Sequence, residues 1–170
     1  AAIGGAIAAV YWLLMMVGRI CSSFISGKVS TKVQLVAVSS LAILFVVIAI
    51  LLPKEITMTM PAYSVEDGFT MASGVPVKAL FLVLCGLCTS LMWGGIFNLS
   101  TEGLGKYTEQ ASGIFMMMVV GGGVMPLIQD FIAGAAGYMA SYWLVVAMLC
   151  YILYYALVGC KNVNTDIPVE

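Results

Sequence analysis

The chain has 170 residues, of which 62% are hydrophobic and 9% charged, with a net charge of −1 and a mean hydropathy of +1.09. Soluble domains carry about 25% charged residues, and a water-soluble fold of this size could not hide so much apolar side chain, so the class is an integral membrane protein. The charge balance offers no basic patch to neutralise phosphates, which excludes nucleic acid as a partner.

A membrane-spanning helix needs about 20 largely apolar residues, and five such runs are present. No closed-barrel alternation is visible, so the spans are helices that satisfy their own backbone hydrogen bonds. The first covers about residues 1–25. Its opening, "AAIGGAIAAVYW", has neither an initiator Met nor a charged n-region, and so is not a signal peptide. It reads as the entry into a helix already in progress. The sequence is therefore expected to be a piece of a longer polypeptide, or else a processed product. Tyr11 and Trp12 fall near the middle of this span and are candidate ligand contacts. Arg19 lies about two turns before its end, where a charge is costly unless it snorkels or finds a partner. Two readings stand: a lock to Glu102 or to helix-end carbonyls, or snorkelling to lipid phosphates.

The short basic connection "SGKVSTK" (26–32) leads to a second span over about 33–52. A long segment follows at 53–78, with three prolines and three acids, read as an extracytoplasmic loop. The third span covers about 79–99. It contains Cys85 and Cys88, a CxxC that is not a zinc site, because the chain has no His and no second CxxC. Its end reads "CTSLMWGGIFNLS". Trp93 sits about 9 Å from the helix end, away from the interface belt where Trp is usual. With Gly94, Gly95, Thr89 and Ser90 close by and Asn98 five residues on, it suits a wall on which a pyranose stacks. Ordinary packing is the other reading.

Next comes the polar island "TEGLGKYTEQ" (101–110). Its Gly105-Lys106 is followed by Tyr107, the residue five before Gly105 is Ser100, and an apolar helix precedes it. The phosphate-loop pattern therefore fails on spacing, residue type and context, and the island reads as a turn. The fourth span, about 111–133, includes Met116, Met117 and Met118, read as flexible packing, and then "VVGGGVMPLIQD". Gly121, Gly122, Gly123 and Pro126 suit either close helix packing or a bend that gates a cavity. Gln129 is placed to hydrogen-bond a ligand or a neighbouring helix. Asp130, the one acid within a span, is read either as a proton carrier or as an interfacial acid of little consequence. The turn "GAAG" (134–137) leads to a fifth span at about 138–159, and residues 160–170 form a polar tail.

Five alternating spans group residues 26–32, 101–110 and the tail on one side. That side holds Lys28, Lys32, Lys106 and Lys161, with Arg19 nearby; Lys54 and Lys78 flank the long segment on the other. The excess of positive charge places the C-terminus in the cytoplasm and residues 53–78 outside.

Three stretches together, "MMVGR" (15–19), "MWGGIFNLSTEGLGKYTEQASG" (92–113) and "VVGGGVMPLIQ" (119–129), resemble the C-terminal half of the fucose permease and glucose/galactose type of sugar:proton symporter in the major facilitator superfamily. The resemblance covers nearly the whole chain outside the long segment. It implies that the five spans are helices eight to twelve, making most of one six-helix half, with an N-terminal half missing. It further implies transport of a monosaccharide by alternating access, coupled to a proton, in a bacterial inner membrane. Trp93, Asn98, Tyr11, Trp12 and Gln129 are then candidate sugar contacts, and Arg19, Gly121, Gly122, Gly123 and Pro126 candidate gating or structural residues. The coupling acids of the family lie on the absent half, so none is assigned here. Two departures stand out: Gly94 occupies a position often held by Pro, and residues 53–78 look like an insertion. No cofactor and no metal are expected. An intramembrane enzyme is disfavoured by the single span acid and the absence of His. A structural or assembly membrane protein without transport activity is the alternative.

A cysteine placed at Ser64 is expected to react with a membrane-impermeant maleimide on intact cells. Labelling only after permeabilisation would invert the orientation.

Overall fold

In the computed structural model, residues 2–25, 28–53, 55–64 and 68–161 are described. Ala1, Ser26, Gly27, Lys54, residues 65–67 and most of the polar tail (162–170) lie outside them. Five helical segments are long and apolar enough to cross a membrane. The first two are α1 (Ala2–Ile25) and α2 (Thr31–Leu51). A β-hairpin follows, β1 (Thr57–Ser64) and β2 (Gly68–Pro76), and runs directly into α3 (Val77–Thr101). The fourth span is α4 (Thr108–Met117), a 3₁₀ turn (Met118–Val120) and α5 (Gly121–Ala136). The last is α6 (Tyr138–Tyr154), extended by a π-helical turn (Tyr155–Gly159).

Helix α3 is the centre of the arrangement. It packs along α1 on one side and α2 on the other; α2 then meets α6, and α6 meets α5. The main apolar core joins α2, α3 and α6 through Leu35, Ala42 and Val46, Cys85, Cys88 and Met92, and Val146 and Leu149. The CxxC cysteines are thus small buried residues of a helix seam, alongside other apolar groups. Met116, Met117 and Met118 are 52%, 74% and 74% exposed, so they do not pack this bundle from within.

The α1–α3 contact depends on missing side chains. A Cβ on Gly86 would stand 2.7 Å from the Tyr11 carbonyl oxygen. A Cβ on Gly18 would collide with the Ser90 hydroxyl and lie 3.1 Å from the Leu87 carbonyl oxygen. Lipid tails are as apolar as the side chains, so close backbone approach of this kind is a main source of helix association in a membrane.

The island 101–110 is a turn. Gly103 and Gly105 have φ of +77° and +47°, a left-handed region open to Gly without a Cβ penalty. The chain then tightens into a 3₁₀ turn at Gly105–Tyr107 before α4. Further along, the fourth span changes to 3₁₀ geometry at Met118–Val120, just ahead of the three glycines. Pro126 lacks an amide hydrogen, which frees the Gly122 carbonyl and loosens the same stretch.

Where the sequence reads as a loop, residues 57–64 and 68–76 pair as an antiparallel hairpin with a register irregularity between Met58 and Met60. Met60, Ala62 and Val75 are buried, and Met60 and Val75 cluster with Val10 of α1 and Val83 of α3. Lys78, in the first turn of α3, is 7% exposed.

At the opposite end of the bundle, the Lys32 ammonium donates to the Leu157 carbonyl at 3.3 Å. The Ser100 hydroxyl donates to the Ile96 carbonyl, which makes the Tyr155 hydroxyl the donor in their 3.0 Å contact. These bonds gather α2, α3 and α6 at the end that carries residues 28–30, the island and residues 160–161.

Gly86→Ala is expected to lower stability by ~1–3 kcal/mol, the usual cost of overpacking. Gly113→Ala has open space around its new methyl and should be neutral or slightly stabilising, since Ala exceeds Gly in helix propensity. Unfolding in detergent compares the two; equal stability would remove the close approach as the reason for Gly86.

Candidate functional site

Trp93 and Asn98 meet in one groove of about 260 Å³ where α1, α2 and α3 converge. On α3, residues 91, 94, 95 and 98 follow helical spacing and form its floor, and the two glycines keep that floor low. Helix α1 adds Arg19 and Ser22, and α2 adds Thr31, Gln34 and Leu35. The volume is just under the about 300 Å³ at which ligand pockets commonly begin, which suits a small ligand or one part of a larger site.

The chemistry of the groove is mixed. Arg19 supplies a fixed positive charge with five N–H donors. The Gln34 amide nitrogen donates to the Val29 carbonyl at 2.8 Å, which leaves its oxygen as an acceptor. The Ser90 hydroxyl donates to its own helix at Leu87, 2.7 Å away, and likewise keeps only acceptor capacity. Asn98 offers both functions and is exposed. Trp93 is 43% exposed. One part of its indole meets the Phe115 ring at 5.2 Å in an edge-on arrangement, and Phe97 meets the same ring at 5.3 Å. Trp93 therefore both packs and lines the groove. Glu102, which the sequence offers as a partner for Arg19, does not line it.

The other candidates lie elsewhere. Tyr11 lines a mainly apolar cavity of about 400 Å³ bounded by α1, α2, α3 and α6. Its hydroxyl is 3.0 Å from Thr89 Oγ1. Thr89 already donates to the Cys85 and Gly86 carbonyls, so Tyr11 is the donor. Trp12 is 65% exposed, edge-on to Tyr11, in a shallow depression with Met15, Met16 and Arg19. Gln129 sits with Asp130, Pro126, Ser141 and Tyr142 in a depression of about 180 Å³ between α5 and α6. Nothing stands within 4 Å of a Cβ built on Gly121, Gly122 or Gly123, so among the described residues they support no close helix contact.

Ser22, Thr31 and Gln34 line the groove without being marked by any sequence motif. Their signal is weak: each is a common polar residue near a helix end, and only the three-helix convergence groups them with Trp93.

No family model and no solved structure matches the chain. Curated relatives do. A glucose/galactose transporter of Brucella abortus is 36% identical over 93 residues, 55% of this chain and 23% of the relative. A putative glucose/galactose transporter of Helicobacter pylori (strain J99) is 32% identical over 158 residues, 89% of this chain and 33% of the relative. The L-fucose-proton symporter of Escherichia coli (strain K12) is 32% identical over 79 residues, 46% of this chain and 18% of the relative. The chain thus spans a quarter to a third of the length of the glucose/galactose relatives. Alongside five spans apolar enough to cross a membrane, this similarity places the chain in the sugar transporter family that holds the glucose/galactose transporters and the L-fucose-proton symporter.

Proposed function

We propose that the chain is part of a secondary active transporter that moves a monosaccharide of the glucose, galactose or fucose type, with a proton, by alternating access. The observation that carries this reading is the convergence of Trp93, Asn98, Gln34 and Arg19 on one groove among three spans. The apolar face of a pyranose stacks on an indole, while its hydroxyls take up donors and acceptors of the kind that Asn98 and Gln34 offer. Among the described residues the groove lining has no carboxylate, so we assign the coupling acid to another part of the transporter. A chain of about a third of the relatives' length contributes some of the walls of a path, and the remaining walls belong to an N-terminal half. Rocking of one half against the other then exposes the site to each side in turn.

Orientation follows from charge. Among the described residues, Arg19, Lys28, Lys32, Lys106 and Lys161 lie at or near one end and Lys78 at the other. We place the basic end, with the C-terminus, in the cytoplasm of a bacterial inner membrane.

The edge contact of Trp93 with Phe115 favours a second reading, in which the indole serves packing alone. In the full-length protein, Trp93→Ala should lower kcat/KM for sugar uptake about tenfold, about 1.4 kcal/mol, at unchanged membrane levels. Phe115→Leu, which removes only the packing partner, should have a smaller effect. Equal losses, or none at Trp93, would remove Trp93 from the sugar site. Residues 1–170 alone in liposomes are expected to show no saturable uptake, and measurable uptake would overturn the part-transporter account.

A further inference from the structure

The hairpin is seated on α1 and α3 within the length of their spans. Its buried residues Met60 and Val75 cluster with Val10 and Val83. Val10 stands 15 residues before the end of α1 at Ile25, and Val83 stands 18 before the end of α3 at Thr101. At 1.5 Å per residue these are about 22 and 27 Å from the basic end, within the about 30 Å of a hydrocarbon core.

Among the described residues the sheet has two strands, so β2 has a backbone edge that no strand pairs. Open strand edges are not tolerated against lipid, because their N–H and C=O groups find no partner there. The outward face is no better suited to water. It carries Phe69 and Met71, 69% and 68% exposed, and Tyr63. Tyr63 pairs across the hairpin with Phe69, their rings 5.1 Å apart, and Pro61 pairs with Met71. A clustered apolar face of this kind marks a contact surface. Protein is the surrounding that can supply both apolar cover and backbone partners.

We propose that this face of the hairpin docks on the portion of the same transporter that lies outside these 170 residues. The inference rests on the family reading, under which relatives are about three times longer and so hold ample chain to cover the face. The hairpin would then be a wedge between the two parts of the transporter at its outer side, seated through Met60 and Val75 on α1 and α3 and through Phe69 and Met71 on the other part.

The test uses the full-length protein in liposomes, with a nitroxide spin label on Phe69→Cys and, separately, on Met71→Cys, in a background without other cysteines. Collisions with oxygen report lipid, and collisions with a nickel chelate report water. Loss of access to both, beside a label at Lys106 open to the nickel chelate, is the expected result. High oxygen access would place the face in the bilayer, and high nickel access would place it in water; either overturns the proposal. Hydrogen exchange on the unlabelled protein gives a second reading: slow exchange across residues 68–76 is expected, and rapid exchange of the β2 amides that do not pair with β1 overturns it. Sugar uptake, measured in parallel, tests the transporter reading separately. A transporting protein whose hairpin faces lipid or water would sink this proposal alone.

Discussion

The approach of α1 to α3 at Gly18 and Gly86 sets the rest of the arrangement. Both contacts are made where a side chain is absent, so the two backbones come closer than any other residue would permit. At the upper contact, the approach brings the Tyr11 hydroxyl to Thr89. At the lower one, it carries Arg19 and Ser22 over Ser90, Trp93 and Asn98 and so closes one wall of the polar groove. Between its upper part and the start of α3 lies the seat of the hairpin, where Val10 and Val83 receive Met60 and Val75. Groove and hairpin seat are two consequences of one interhelical distance.

The polar side chains within the spans are handled locally. Ser39, Ser90, Thr101 and Ser141 each donate to a carbonyl three or four residues earlier on their own helix. A hydroxyl satisfied this way enters hydrocarbon at small cost and needs no neighbour. Two hydroxyl pairs go further and join helices, Tyr11 with Thr89 and Tyr155 with Ser100. In each, the Ser or Thr has spent its hydrogen on its own helix, so the tyrosine is the donor. Such bonds between spans contribute about 0.6 kcal/mol on average, so they orient helices that close packing already holds.

The five spans and the turn at 101–110 are legible in the sequence, because apolar length and left-handed glycines are local properties. The hairpin within residues 53–78 is not. Three prolines and three acids suggest a loop, yet Met58, Met60 and Ala62 alternate with Thr57, Thr59, Pro61 and Tyr63, the period-two pattern of a strand with one buried face. That alternation was present, and the prolines masked it. The candidate site was only partly legible. Trp93, Asn98 and Arg19 share a groove, but Tyr11, Trp12 and Gln129 are spread over three other depressions. Aromatic and amide side chains can be picked out by type. Which of them face one another depends on helix rotation, and in spans that are apolar on all sides no stripe records that rotation.

The two sides of α3 differ in how firmly they are held, and this bears on movement. Toward α2 and α6 the helix shares a continuous core that includes Leu35, Cys88, Met92 and Val146. Toward the fourth span it meets α4 through Trp93 and Phe97 on the single ring of Phe115. Beyond that ring the span changes to a 3₁₀ turn, passes three unpacked glycines and reaches Pro126, each of which lowers the resistance of a helix to bending. Aromatic edge contacts contribute about 0.5–1.5 kcal/mol each beyond the area they bury, well below the worth of a shared core. The fourth span is therefore the element best able to shift against α3, and its contact with α3 includes the indole that also lines the groove. Under the proposed function, a sugar stacked on Trp93 would touch a side chain that belongs both to the binding groove and to that weak seam.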